Sequence, residues 1–320
     1  NELTKIKTEN GEARYKQNIM AKYLTAIAFE IVGMRDNDDK DLEFAYIEYK
    51  QIYALDPGID MVKDDLLRLS KRLGYDDEFQ EWQGTFGKSY KEDPNTGELI
   101  SIFQNGRGAI KKSRGHILKD AQMGPAIRVT LQSTSLSTGL TVAAVLVALQ
   151  NVENPIARFE KRSNRVDKVR IEARGGKINS TTTKLEDVEK TAINNLEDDY
   201  GYLYKRVAAS IVTKTAASLA AGIAAKKVAE QFKNTKGFAG LIGTAIGAGT
   251  GVALFAQMKP DLRCWHTLPA NFQLNRMSLK PGKQKVSFVY VDSGGIIERI
   301  EKDVEIKKGE KTVVNLRTLY

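Results

Sequence analysis

The chain has one cysteine, Cys264, and two histidines, His116 and His266, in 320 residues. One thiol excludes an internal disulfide framework and any multi-cysteine zinc site. Two imidazoles leave little for metal or acid–base chemistry. No carboxylate pair stands out with catalytic spacing. A phosphate loop is missing too: Gly84-Thr85-Phe86-Gly87-Lys88-Ser89 has Trp82 where the motif needs its first glycine, and no buried strand precedes it. Cys264 and His266 stand two apart and could touch on a strand, but nucleophilic catalysis would also need an orienting carboxylate and an oxyanion site. These gaps point away from an enzyme and away from any cofactor or metal.

What is present is ordinary globular composition, 42% apolar and 28% charged. That excludes a wholly disordered, collagen-like or polytopic membrane chain. The length suggests two domains, or three. Charge divides them. Residues 1–100 hold 14 Lys+Arg against 21 Asp+Glu, a net of −7; the rest hold 35 against 19, a net of +16. An acidic front and a basic rear imply modules with different surfaces. Basic groups lie at Arg107, Lys111, Lys112, Arg114 and Lys119, and at Arg158, Lys161, Arg162, Arg165, Lys168 and Arg170. Neither is interleaved with stacking aromatics, so nucleic acid is not the expected partner. No basic segment with an apolar core and a cleavage site opens the chain at Asn1, so an export signal is expected to have been removed or the natural chain to be longer.

The front reads as helices at 12–33, 42–55, 60–73 and 76–83. In the first, Ile19, Tyr23, Ala26, Ile27 and Glu30 share one stripe. In the second, Ala45, Tyr49, Ile52 and Pro57 have tetratricopeptide spacing, and Gly33 is the small residue that would let the helices approach. Phe44, Tyr46 and Tyr53 are the aromatics expected to bind a partner peptide or helix. The turn Glu92-Asp93-Pro94-Asn95-Thr96-Gly97 divides a domain at 1–93 from one at 97–320.

The rear alternates as strands near 98–103 and 108–112, joined by a hairpin turn at Asn105-Gly106. Further strands are expected at Ala126–Gln132, Val142–Leu149 and 168–172, and near 272–279, 284–291, 303–306 and 312–316. Together they suggest a β-sandwich carrying a helical insertion at about 183–258, an α+β architecture. The insertion pairs an Ala-rich helix at 200–232 with Gly237–Met258, 22 residues without a charge. Gly243, Gly247 and Gly251 form a ladder that would pack helices closely. That run is long enough to cross a bilayer but poor in Leu and Ile. Two readings follow: a soluble helical hairpin, or a membrane-active or pore-forming oligomer.

Asp261-Leu262-Arg263-Cys264-Trp265-His266-Thr267-Leu268-Pro269, with Arg276 and Leu279-Lys280-Pro281-Gly282 behind it, resembles a family of uncharacterised bacterial envelope lipoproteins. Gly97–Gly106 and the stretch from Arg14 to Pro57 resemble that family too. The resemblance implies tetratricopeptide-like helices followed by this C-terminal module, and genes beside activators of penicillin-binding proteins. It implies a periplasmic scaffold, attached to the outer membrane through a lipidated N-terminal cysteine that this sequence does not contain, with other envelope proteins or further copies of itself as partners. Physically, Trp265 is expected to anchor a core. Arg263 should pair with a buried carboxylate or carbonyls, and Pro269 should set the entry to a strand.

Overall fold

The computed structural model describes residues 7–8, 11–12, 18–90, 93–133, 139–231 and 253–320. The protein is mixed α+β, with helices first and sheets concentrated towards the C-terminus. A short ladder pairs β1 (Lys7–Thr8) with β2 (Gly11–Glu12). Four helices follow: α1 (Ile19–Asp36), α2 (Asp39–Leu55), α3 (Asp60–Arg72) and α4 (Asp76–Phe86).

Their starts and stops have local causes. The Asn18 side chain accepts from the Ala21 N–H at 2.8 Å and opens α1. Asn37 closes it at φ 49°, a left-handed position that asparagine tolerates. Asp38 then caps α2 by accepting from the Lys40 N–H. At Gly33 a Cβ would lie 2.9 Å from Leu42 Cδ2 and 3.0 Å from the Asp38 carbonyl. Only glycine lets the two helices meet so closely there. The expected two-helix packing around Gly33 and Ala45 is therefore observed, with Ala45, Tyr49 and Ile52 buried.

The strands form two four-stranded sheets. The inner one is ordered β12-β3-β9-β8: β12 (Lys311–Arg317), β3 (Gly97–Asn105), β9 (Asn271–Leu279) and β8 (Thr183–Glu186). β12 runs parallel to β3, and β9 antiparallel to it. The outer one is β11-β10-β6-β7: β11 (Gly295–Ile306), β10 (Gly282–Asp292), β6 (Lys168–Ala173) and β7 (Ile178–Thr181). Period-two alternation gives β3 two apolar faces. Leu99 and Phe103 meet Val169, Ile171, Val286, Phe288 and Tyr290 of the outer sheet. Ile100 faces the other way and joins the helical core with Leu274 and Leu185. The order is helices, inner sheet, outer sheet.

The strand expected after Asn105-Gly106 does not fold back on β3. β4 (Ile110–Ser113) pairs with β5 (Ala157–Glu160) instead. The turn is taken up elsewhere: Asn105 donates to the Val166 carbonyl at 2.7 Å, and the Gly106 N–H donates to Thr318.

Two expected strands are helices. α5 (Met123–Gln132) and α6 (Gly139–Ala148) replace the strands read at 126–132 and 142–149. The apolar residues that pack are Ile127 and Leu131, and Val145 and Leu149, each four apart. One stripe is buried rather than two faces, so helical period overrides the β-branched composition. These stripes pack with Tyr204 and Ile211 of α8 (Tyr200–Gln231) and with Phe255 and Met258. α7 (Val188–Asp198), capped by Asp187, leads into α8. Gly243, Gly247 and Gly251 lie outside the described residues.

Candidate interaction site

Between Met258 and β9 the chain forms a loop that carries most of the Asp261–Pro269 motif. It opposes the expectation for its tryptophan. Trp265 is 77% exposed, with Leu262 and Leu268 exposed beside it. It does not anchor a core. Arg263 does not reach a buried carboxylate either; it is exposed and forks onto Asp261 two residues back, at 2.8 and 2.9 Å. That pairing holds the Asp261 carboxyl well below the usual carboxylate range. Pro269 is buried just before β9, where a strand entry was expected.

Although the side chains face out, the backbone of this loop is fixed. The Arg162 guanidinium donates to the Gly108 carbonyl at 2.6 Å and to the His266 carbonyl at 2.9 Å. Arg317 at the end of β12 donates to the Thr267 carbonyl at 2.6 Å. The Gly108 N–H takes the Leu268 carbonyl at 2.8 Å, and the Ala270 N–H donates to Asn105 at 2.8 Å. Three successive carbonyls, 266 to 268, are thus bonded to three separate stretches of chain: the loop after β5, the end of β12 and the loop after β3. Gly108 must be small here, since a Cβ would stand 3.1 Å from the Pro269 carbonyl. Burial and the neighbouring Arg107 both lower the Arg162 pKa, yet a guanidinium stays charged. The result is a rigid mount for an exposed indole, the arrangement by which tryptophan serves protein interfaces at low ordering cost.

Cys264 Sγ lies 3.9 Å from His266 Nε2 on this same loop. The contact foreseen between them exists, on a part-exposed backbone rather than in a closed cleft. An open cleft of about 910 Å³ elsewhere is lined by Arg114, Asp120, Arg158 and Tyr200. Of its two acids, Asp120 and Glu197, the first is already engaged: Asp120 accepts from Arg114 at 2.8 Å, from Asn154 at 3.1 Å and from two backbone N–H groups. Among the described residues, no group of three or more His, Cys, Asp or Glu is placed to hold a metal ion.

The aromatics expected to receive a partner are placed differently. α4 lies over α2, where Trp82 Nε1 donates to the Tyr46 hydroxyl at 2.8 Å and that hydroxyl donates to Glu78 at 2.5 Å. Tyr46 is buried, and Tyr53 is wedged against Trp82 and Phe86 at ring distances of 5.5 and 5.3 Å. Both are part of the chain's own packing. Phe44 alone is open, 52% exposed beside Phe29.

What the sequence reading missed is the contact between the helical front and the inner sheet. Register puts Lys311 opposite Glu98, and Ile100 opposite Arg276. All four share the helix-facing side of the inner sheet. Arg276 reaches Glu98 at 2.5 Å, Asp65 of α3 at 2.8 Å and Glu30 of α1 at 3.2 Å. Lys311 reaches Glu30 at 2.6 Å and Glu98 at 2.8 Å. Arg68 closes the group on Glu30 and Asp65, and Tyr49 and Tyr23 donate to Glu30 and Asp65 respectively.

Three carboxylates meet three cations, so the cluster is neutral as a whole. Burial alone would raise Glu30, but Arg276, Arg68 and Lys311 outweigh it and hold its carboxyl well below the ordinary value. The same contest, won by Arg276 and Lys311, leaves Glu98 at about 2. At Asp65 burial wins and the pKa is raised. One signal was available in the sequence: Glu30 sits in the apolar stripe with Tyr23, Ala26 and Ile27, where a charge demands a buried partner.

Comparison of the chain with protein-family models, with curated proteins and with solved structures finds no match.

Proposed function

We propose that this chain is a non-enzymatic scaffold or assembly protein of a Gram-negative envelope, working in the periplasm through contacts with other envelope proteins. In this reading the front is a tetratricopeptide-like unit and the two sheets form a β-sandwich. The chain then belongs with the lipoprotein family that its motif resembles. The single observation that supports it is Trp265, exposed on a loop whose carbonyls are tied down by Arg162, Arg317 and Gly108. A large apolar side chain held rigidly in solvent suits a partner's pocket better than it suits an isolated monomer. The contact surface thereby moves from the α2 aromatics to the motif loop.

A photoreactive amino acid at position 265 tests this in envelopes. One discrete adduct of fixed mass supports the reading. A diffuse ladder like that from an exposed control at position 302 counts against it.

A second reading, a membrane-active protein, draws on α8. Residues Tyr200–Ala224 are long and apolar enough to cross a membrane, and only 28% of that window is buried.

A further inference from the structure

A cavity of about 380 Å³ opens beside the first residue of the motif loop. Its floor is the flank of the apolar cluster shared by α5, α6 and α8: Ile156 and Met258 are buried there, and Leu203 and Val207 are half-buried. Its rim is charged, with Lys111 of β4, Arg206 of α8 and Asp261 of the loop. The three charges differ in what they already hold. Asp261 is spent, accepting from the Arg263 guanidinium at 2.8 and 2.9 Å and from the Arg263 N–H at 3.0 Å. Lys111 acts on it through space alone. Among the described residues, the side chains of Lys111 and Arg206 hold no hydrogen bond and no ion pair.

Acids near in sequence do not relieve them. Glu197 lines the larger cleft, and Asp198 and Asp199 border neither. Glu230 stands about 36 Å further along α8 than Arg206, at 1.5 Å per residue. The rim therefore sets Lys111, Arg206 and Arg263 against Asp261, with the first two cations open to a ligand. An apolar floor takes an apolar body, and a guanidinium with an ammonium at the mouth requires that body to end in an anion. A neutral chain would leave both cations as they are, and a cationic one would be repelled. We infer that the cavity binds a single-chain amphiphile with an anionic head, of the fatty-acid or alkyl-phosphate class. The chain lies over Ile156, Leu203, Val207 and Met258, and the head meets Arg206 and Lys111. The volume is near the lower end of the range for ligand pockets, about 300–1,000 Å³, which suits one chain. The stems of the two cations can lie along the apolar wall while their heads stay at the mouth.

The inference stands apart from the scaffold reading. A chain that binds the amphiphile but gives no adduct at 265 keeps the first and loses the second. Titration calorimetry on the whole chain tests it, with decanoate, decyl phosphate, decanol and decyltrimethylammonium, each below its aggregation limit. One site per chain is expected for the anions, with decanol at least about tenfold weaker and no binding of the cation. The tighter of the two anions identifies the head group. Arg206→Gln, at an exposed position, should weaken the anions about tenfold and leave decanol and the thermal transition unchanged. Ser210 also lines the cavity, so Ser210→Phe should fill it and abolish binding. If that variant fails to fold, Arg206→Gln carries the test. Four outcomes overturn the inference: no binding of either anion, equal affinity for decanol and decanoate, several sites per chain, or anion binding that Arg206→Gln leaves unchanged.

Discussion

Arg276 and Glu30 are 246 residues apart in sequence and meet at 3.2 Å, buried between α1 and β9. Their contact turns an acidic front and a basic rear into one packed unit. Each lends a charge that the other element needs: α1 supplies the carboxylate, while β9 and β12 supply the guanidinium and ammonium.

Removing Arg276 is therefore expected to be severe. Arg276→Ala strands Glu30, Asp65 and Glu98 with one guanidinium and one ammonium. Breaking a buried ionic group in this way costs about 3–5 kcal/mol. Urea unfolding followed by circular dichroism would measure it. A loss below about 1 kcal/mol would mean that water reaches the cluster.

The pH response has a fixed sign. Glu98 falls from its ordinary 4.5 to about 2 in the folded chain, so its stabilisation is full above 4.5 and is lost as pH drops towards 2. Glu30, also lowered by its three cations, acts in the same direction. Asp65, raised, acts in the opposite one: it favours the fold at low pH, and that advantage fades as pH rises through its folded pKa. Melting temperature across the acid range should therefore fall less steeply in Glu98→Gln than in the natural chain. Parallel curves would remove Glu98 from the account.

Tyr46 and Phe44 should part company. Tyr46→Phe leaves Trp82 Nε1 and Glu78 without the hydroxyl between them, a loss of about 1–3 kcal/mol. Phe44→Ala, at an exposed site, should stay within roughly 1 kcal/mol. Thermal unfolding of the pair separates packing from surface. Equal losses would mean that α4 does not cover α2 in solution.

Gly33 is the steric limit of the α1–α2 contact. Gly33→Val should cost about 1–3 kcal/mol, because the backbone carbonyl of Asp38 cannot move aside as the Leu42 methyl can. Denaturation midpoints report it directly, and an unchanged midpoint would refute the close approach.

Much of the front was legible in the sequence. Caps, stops and the Gly33–Ala45 crossing are local features, and α2, α3 and α4 fall close to where periodicity puts them; the first helix, expected from residue 12, begins at Ile19 after its Asn18 cap, and Glu12 belongs to β2. The rear was harder, for identifiable reasons. α5 and α6 are rich in β-branched and small residues, and only their single buried stripe declares them helical. Asn105-Gly106 looks like a hairpin turn but is bound by Val166 and Thr318, partners 61 and 212 residues away. Trp265 was read as core from its size alone. Its neighbours Arg263, Cys264 and His266 show no alternation that would bury it, and the arginines that fix its loop, Arg162 and Arg317, are remote in sequence. The charge cluster was hidden because its members lie on five elements, and pairing register sets the sheet's share of it.

The proposed contact predicts that Trp265→Ala changes stability by no more than about 0.5 kcal/mol, as an exposed side chain should. It also predicts loss of the partner. Mass-resolved size exclusion in detergent-free buffer, on natural and Trp265→Ala protein purified from envelopes, measures this most directly. The account predicts a complex of fixed stoichiometry for the natural chain and a smaller species for the variant. The same complex in both, or a lone monomer in both, would contradict it.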